Sequence, residues 1–139
     1  MSGSGPAELV RHFYEVVISQ NQADRIATFL SPDCTLRTGR DRQPLGVAGM
    51  QQHLAATKRT YPDYAIRITR QFCDGEYVIS EFQMAGTHEG EWLGIRPSHR
   101  RLTFTGINID RVVDGRIVEH GGAVNTFETL LSAGLIGPA

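Results

Sequence analysis

The chain has 139 residues, of which 40% are hydrophobic and 21% charged, and its formal net charge is -1. This composition is typical of one globular domain that is large enough to enclose a core and a ligand-sized cavity. It lacks the concentration of basic residues that nucleic-acid binding needs, and no apolar run reaches the length of a membrane span. We therefore expect a single domain over residues 1–139 with no nucleic-acid or membrane partner.

The N-terminus and the cysteines favour a cytoplasmic protein. The N-terminal sequence MSGSGP, about residues 1–6, lacks the basic and apolar regions of a secretory signal and is interpreted as a short disordered lead-in. Cys34 and Cys73 lie far apart and outside any metal-ligand spacing. We expect reduced thiols and no metal site.

Helical periodicity dominates the N-terminal part of the chain. Apolar residues predict an amphipathic helix over 7–19, and a shorter second helix is predicted over 21–30, ended by Ser31-Pro32. A short strand over 34–38 and a charged loop over 39–46 follow. A third helix is predicted over 47–60 from the spacing of Met50, His53, Leu54 and Thr57.

Alternation with a period of two begins at Tyr64 and continues almost to the end. It predicts strands over 64–72, 76–88, 102–113 and 116–124, with turns at Asp74-Gly75 and Asp114-Gly115. A final helix is predicted over 126–133, ending at Gly134. Asn125 has the spacing of a helix N-cap with Glu128 as its reciprocal partner, so it is not assigned to a site.

Helices followed by a long meander predict an α+β fold. In this fold the N-terminal helices pack on the concave face of a curved, mostly antiparallel sheet. A bent sheet closed by helices leaves an apolar, cone-shaped cavity, which suits an apolar ligand.

The last hairpin carries the candidate site, and the register of its strands decides which residues share a face. A two-residue turn at Asp114-Gly115 would place Asp110 opposite Glu119, and facing like charges are destabilising. We therefore expect a three-residue loop with Gly115 in the left-handed region, which places Asp110 opposite Val118.

That register also places Asn108 opposite His120. One face would then carry small and polar residues, which suits a pocket wall, and the other face mainly larger ones. The first set is Gly106, Asn108, Asp110, Val118, His120 and Gly122, and the second is Ile107, Ile109, Arg111, Ile117 and Glu119.

Asp110, His120 and Asn108 are the candidate catalytic residues. A carboxylate among apolar neighbours would be partly desolvated and therefore a better base near neutral pH. With the imidazole it could move a proton from a carbon acid to an alkoxide, or hold a water for attack. The amide could donate to an enolate oxygen. A salt bridge from Asp110 to Arg111, or structural hydrogen bonds within the group, are the alternatives.

Three further residues are candidates for substrate binding. His88 and Trp92 flank the turn at Gly90 and could stack on a flat polycyclic ligand. Packing of Trp92 in the core or in a dimer interface is the alternative. Tyr14 could point its hydroxyl into the cavity or pack between helix and sheet.

Several stretches, in their order and spacing, resemble the SnoaL-like polyketide cyclase family. They cover nearly the whole chain and are FYEVV from Phe13, YPDY from Tyr61, GTHEGEWLGI from Gly86, INIDRVVDGRIVEH from Ile107 and NTFETLLSAGLI from Asn125. The resemblance implies the NTF2-like cone fold of ketosteroid isomerase and scytalone dehydratase. It also implies a homodimer or homotetramer formed through the outer sheet face, and no metal or organic cofactor.

The resemblance further implies an enzyme of polyketide or related secondary metabolism. Such an enzyme takes a small apolar polycyclic substrate through an aldol ring closure or an isomerisation, here with Asp110 as acid/base and His120 with Asn108 polarising a carbonyl. Hydroxylation of a polyketide ring, epoxide opening and a non-catalytic dimeric binding module remain alternatives.

The chain departs from the family pattern after Glu119-His120. Trp-Asp usually follows, whereas this chain has Gly121-Gly122, and Asn108 replaces an Asp that is common two positions before Asp110. If the usual catalytic carboxylate belongs at position 122, it is missing. The two glycines would then leave room for a bulky ligand.

Overall fold

The computed structural model describes residues 5–137 of the chain. Helix α1 (Pro6–His12) begins at a proline, which favours the first helical position, and continues directly as a π-helical segment (Phe13–Ile18). The other helices are a short 3-10 turn (Ala23–Arg25), α2 (Ile26–Phe29), α3 (Gly46–Thr60) and α4 (Thr126–Ser132). The predicted lead-in falls mostly on residues 1–4, outside the described residues.

In the described residues six strands form one sheet, in the order β2-β1-β6-β5-β4-β3. Neighbouring strands are antiparallel except β1 and β6, which run parallel. The predicted α+β class, with N-terminal helices packed on a curved sheet, is confirmed. The strands are β1 (Leu30–Thr38), β2 (Asp41–Pro44), β3 (Ala65–Asp74), β4 (Tyr77–Thr87), β5 (Arg101–Val113) and β6 (Arg116–Val124).

The elements from α3 to α4 match the predicted ranges to within two residues at each end. The predicted cap at the start of α4 is also confirmed, because the Asn125 side chain accepts a hydrogen bond from the Glu128 N–H at 3.4 Å. Strong periodicity and a specific capping pair therefore defined these elements.

The first two strands differ from the prediction. Strand β1 begins at Leu30 and includes Pro32, where the second helix was expected to end. Pairing with β6 is interrupted between Leu30 and Thr35, so a proline without an amide hydrogen is accommodated there. The predicted charged loop contains β2, an exposed edge strand. Edge strands commonly carry charged residues and proline, which prevent pairing with other chains. Such a composition lacks the alternating apolar residues by which a strand is predicted from sequence.

The turn of the last hairpin also differs from the prediction. Val113 pairs with Arg116 across a two-residue turn, in which Asp114 and Gly115 have φ values of 51° and 77°. Positive φ at both central residues defines the turn whose twist best matches a hairpin. The expected three-residue loop is therefore wrong.

A bulge in β6 resolves the charge conflict that argued against this turn. The register shifts between Arg111 and Val112, which leaves Val118 as the extra residue on β6. Beyond the bulge Arg111 pairs with Glu119, with a guanidinium to carboxylate distance of 3.2 Å. In this register Asp110 is level with His120.

The core forms two clusters with the cavity between them. One packs α1, α2 and α3 against the sheet, and the other joins Tyr61, Tyr64, Leu102, Phe104 and Leu130. Ile117, which the predicted register placed on the outer face, is fully buried in the first cluster because the bulge turns it inward.

The outer face of the sheet leaves apolar side chains in contact with solvent. Ile107 and Ile109 on β5 are 51% and 52% exposed, and Phe72 and Tyr77 on the neighbouring strands lie on the same face. Within residues 5–137 no helix is both long and apolar enough to cross a membrane.

Candidate active site

A cavity of about 380 Å³ lies between the helices and the inner face of the sheet. Apolar side chains form most of its wall, including Met50, Leu54, Phe82, Met84 and Phe104. Its volume falls in the range of pockets that hold drug-sized ligands. A few polar groups interrupt the apolar surface, and they come from the π-helical segment, from α3 and from the last two long strands.

Asp110 is the buried centre of a hydrogen-bond network beside this cavity. Its carboxylate has no solvent exposure; Oδ2 accepts from the Tyr14 hydroxyl at 2.5 Å, and Oδ1 lies 2.6 Å from His120 Nδ1. Because a carboxylate can only accept, Nδ1 carries the hydrogen. Asn108 Nδ2 donates to the Tyr14 hydroxyl oxygen at 3.0 Å. Nε2 of His120 forms no hydrogen bond with any residue in 5–137.

The electrostatics of this network favour a protonated His120. Burial alone lowers the pKa of the imidazole, but the negative charge of Asp110 and the hydrogen bond to it outweigh burial, so the His120 pKa is raised above its ordinary value. Burial, and then the charge of Asp110, raise the pKa of the Tyr14 phenol well above its usual value. Tyr14 therefore remains a donor.

Tyr14 reaches Asp110 from a widened turn of the first helix. The π-helical segment contains Tyr14, whose carbonyl accepts a hydrogen bond from the N–H five residues later at 3.1 Å. The carbonyl of Ile18, the last residue of the segment, accepts a hydrogen bond from the Tyr64 hydroxyl at 2.5 Å, which fixes the segment against the residue that precedes β3. Single π-turns are frequent at functional sites. Here the turn holds the Tyr14 ring edge-on to the ring of His120.

Gly122 leaves no room for a side chain in this backbone. A Cβ at that position would lie 2.1 Å from the Ile107 carbonyl oxygen and 2.4 Å from Asn108 Oδ1, and one at Gly121 would lie 2.3 Å from the Arg37 carbonyl oxygen. The expectation that the two glycines enlarge the cavity is therefore wrong. Their role is to allow close approach of neighbouring backbone.

Four of the sequence-predicted site residues line the cavity, namely Tyr14, Trp92, Asn108 and His120. Asp110 lies behind this wall, and it does not pair with Arg111, which contacts Glu76 and Glu119 instead.

His88 is not among the residues that line the cavity, in contrast to the predicted stacking on a ligand. The ring is fully buried, its Nδ1 accepts from the Ser98 N–H at 3.2 Å, and it packs 5.9 Å from the Tyr61 ring centroid. The turn at Gly90 packs against the C-terminal end of α3, because the Glu89 and Gly90 amides both donate hydrogen bonds to the carbonyl of Thr60, the last residue of that helix. Only Trp92 of the predicted stacking pair remains at the cavity.

His53 lines the cavity as well, although the sequence placed it only in a helical pattern. The sequence could have pointed to His53, because it is a titratable residue on the same predicted helix face as Met50 and Leu54, both of which are buried. None of the described groups hydrogen-bonds the His53 ring. Burial, and then the charge of His120, lower the His53 pKa.

A curved sheet closed by helices around an apolar cavity defines the class of NTF2-like cone folds. Within this class, the sequence pattern of the SnoaL-like polyketide cyclases matches residues 8–131. The chain belongs to the SnoaL-like polyketide cyclase family. No curated protein matches the chain with significance.

Solved structures share the fold over nearly their whole length. IdmH, a candidate polyketide cyclase from Streptomyces antibioticus, is 23% identical with a TM-score of 0.79 over 93% of this chain and 98% of that chain. AclR, a candidate hydroxylase from Streptomyces galilaeus, is 22% identical with a TM-score of 0.77 over 97% and 90%. A SnoaL-like polyketide cyclase from Agrobacterium tumefaciens is 14% identical with a TM-score of 0.79 over 92% and 96%. These identities establish the fold alone.

Proposed function

We propose that this protein is a cofactor-independent enzyme that moves protons on a polyketide-type carbonyl compound, leading to aldol ring closure or isomerisation. One observation carries the proposal. The His120 ring is anchored through Nδ1 by the buried Asp110, and the same residue lines an apolar cavity while its Nε2 has no hydrogen-bond partner among residues 5–137. Membership of the polyketide cyclase family supports the class of substrate.

Substrate binding in this proposal comes mainly from apolar contact. A flat polycyclic molecule fills the cavity, and Trp92 packs against it at one end. The apolar wall supplies affinity without orientation, so the polar groups of Asn108 and His120 fix which carbonyl faces the sheet. This arrangement suits a ligand with one or two oxygen atoms on a largely hydrocarbon frame.

His120 and Asn108 act on the substrate carbonyl. Protonated His120 donates its Nε2 hydrogen to the carbonyl oxygen, and the second Nδ2 hydrogen of Asn108 has no acceptor within the described residues. Donors placed where charge develops stabilise the enolate more than the ketone. Asp110 is then a positioning residue rather than the group that touches substrate, because both of its oxygens are already occupied.

The chemical steps balance without an oxidant or reductant. A base removes the proton next to the carbonyl, and the electrons of that C–H bond form the enolate. In ring closure the enolate carbon attacks a second carbonyl carbon, a C–C bond forms, and the new alkoxide recovers a proton. In isomerisation the proton returns to a different carbon.

A cytoplasmic homodimer is also part of the proposal. The exposed side chains of Ile107 and Ile109 give the outer sheet face an apolar centre. Some of the charges beside it are paired within the chain, as in Arg70 with Glu81 at 2.9 Å, and an identical face can cover such a pair without leaving either charge unpaired.

Proton exchange on a model ketone tests the enzymatic proposal. We expect the wild type to speed the exchange of the benzylic α-protons of 2-tetralone in heavy water, followed by NMR. His120→Gln is expected to lower the rate by roughly 10²–10³. His99→Gln, in an exposed loop away from the cavity, is the matched control and is expected to retain the wild-type rate. Equal rates for the wild type and His120→Gln would contradict the proposal.

Hydroxylation or epoxide opening is the second candidate, favoured by the shared fold with AclR. In epoxide opening His120 would activate a water, whose oxygen bonds to an epoxide carbon while the C–O bond at that carbon breaks and the released alkoxide takes up a proton. Heavy oxygen incorporated from labelled water would identify epoxide opening, whereas incorporation from labelled dioxygen, the oxidant that hydroxylation requires, would identify hydroxylation. A non-catalytic binding module would instead quench Trp92 fluorescence on adding 2-tetralone and accelerate no exchange, and because Trp92 is the single tryptophan the signal is unambiguous.

A further inference from the structure

The cavity wall contains few groups that can carry a proton near neutral pH. Within the described part of the chain, no carboxylate, amine, guanidinium or thiol lines it, and its titratable groups are Tyr14, His53, Tyr61, Tyr64 and His120. Burial raises the pKa of all three phenols, that of Tyr61 to about 12. The two histidines are therefore the wall groups suited to acid/base chemistry.

The two imidazoles reach the cavity from opposite layers of the fold. His120 stands on β6 in the sheet, whereas His53 lies in the middle of α3, which covers the sheet. Met50, Leu54 and Thr57 of the same helix also line the cavity, so this is the face of α3 that looks onto the ligand space. Both rings therefore border the space that a substrate would fill.

Their surroundings differ in a way that assigns different roles. His120 is held by a buried carboxylate, which favours the charged ring. His53 has no hydrogen-bond partner among residues 5–137. The residue is exposed to solvent, but the groups packed around its ring partly desolvate it, and this desolvation, together with the positive charge of His120, lowers the His53 pKa and favours the neutral form. Environments that separate two titratable groups in this way are typical of acid and base pairs.

We propose that His53 is a second catalytic residue, the base that removes the proton from the carbon next to the substrate carbonyl. This inference rests on the proposed function, which leaves the base unassigned. The proton passes to a ring nitrogen of His53, and the enolate oxygen stays bound to the Nε2 hydrogen of His120. After the C–C bond forms, or after the double bond shifts, the His53 imidazolium returns the proton to the alkoxide or to the new carbon.

The experiment compares His53→Gln with the wild type and with His99→Gln in the exchange of 2-tetralone protons. We expect His53→Gln to lower the rate by roughly 10²–10⁴, as for loss of a general base. Binding of 2-tetralone, measured by Trp92 quenching, should change less than about threefold, because the apolar wall that supplies affinity is intact. His99→Gln should match the wild type in both measurements.

Two further readouts separate a base from a structural residue. The rate of the wild type should rise as His53 loses its proton with increasing pH, and this rise should disappear in His53→Gln. Adding free imidazole to His53→Ala should restore part of the rate, because a small base can enter the space that the side chain vacated. A His53→Gln rate within twofold of the wild type, together with a strong loss in His120→Gln, would overturn this inference and leave the proposed function standing. Equal rates in the wild type, His53→Gln and His120→Gln would overturn both.

Discussion

The Asp110 carboxylate holds Nδ1 of His120 at 2.6 Å, and no solvent reaches the carboxylate. A buried acid bound to one ring nitrogen fixes the ring orientation and leaves the other nitrogen to act on a ligand, as the aspartate does for the histidine of hydrolytic triads. Each oxygen of Asp110 accepts one hydrogen bond, from Tyr14 or from His120, so the loss of either partner would leave a buried carboxylate oxygen without a donor.

The Tyr14 hydroxyl is predicted to stabilise the fold. Tyr14→Phe leaves Asp110 Oδ2 buried without its donor, and it removes the acceptor of Asn108 Nδ2. We expect the free energy of unfolding in urea to fall by about 1–3 kcal/mol. Tyr61→Phe is the control, because the buried Tyr61 hydroxyl has no hydrogen-bond partner among the described residues, and it should not lower the free energy of unfolding by more than about 0.5 kcal/mol. An equal effect of the two substitutions would contradict the prediction that the Tyr14 hydroxyl stabilises the fold.

The raised pKa of His120 predicts a stability contribution that depends on pH. The folded state holds the proton more tightly than the unfolded state, so the contribution is fully present below the ordinary histidine value of about 6.5 and is lost as pH rises through the folded value. The difference in unfolding free energy between the wild type and His120→Gln should therefore shrink from mildly acidic to mildly alkaline pH. A difference that grows with pH would mean that the folded protein holds a neutral His120.

Close packing at Gly122 predicts that even a methyl group is tolerated poorly. Gly122→Ala places a carbon 2.1 Å from the Ile107 carbonyl oxygen, so β6 must shift away from β5. We expect a loss of about 1–3 kcal/mol in the free energy of unfolding. Gly137→Ala is the control, because no atom of the described residues other than its chain neighbours lies within 4 Å of the added carbon. An unchanged melting temperature in Gly122→Ala would show that the strand adapts without strain.

The outer sheet face is predicted to join two copies of the chain. Ile109→Glu places a charge at the centre of that face, where it would be buried without a partner, so the protein should run as a monomer in size-exclusion chromatography with light scattering. Gln52→Glu adds the same charge on the exposed side of α3 and should leave the dimer intact. A dimer that survives Ile109→Glu would place the interface elsewhere.

Sequence patterns predicted the late elements well because they are long and periodic. The positions of α3, of strands β3 to β6 and of the Asn125 cap all follow from local rules that the tertiary structure does not override. Strand β2 escaped prediction because it is short, exposed and charged. Its place in the sheet comes from a turn at Gly39 and from pairing with β1, neither of which a periodic pattern shows.

The sequence predicted which residues lie together near the cavity better than it predicted how they are arranged. Asn108, Asp110, His120 and Tyr14 do form one hydrogen-bonded group, although the register used to bring three of them together was wrong. The bulge at Val118 keeps Asp110 from facing Glu119 across the strands, and the alternation of residue types along β6 does not reveal it. His53 was missed because contact between α3 and the sheet is a tertiary property.

The Asp110 carboxylate favours the protonated form of His120 at the cavity wall, and the pKa of the His120 ring measures this effect directly. NMR titration of the ring in the wild type should give a pKa above the ordinary value of about 6.5, and in Asp110→Asn a value below it, because only burial then acts on the imidazole. A His120 titration that is the same in both proteins would contradict the claim.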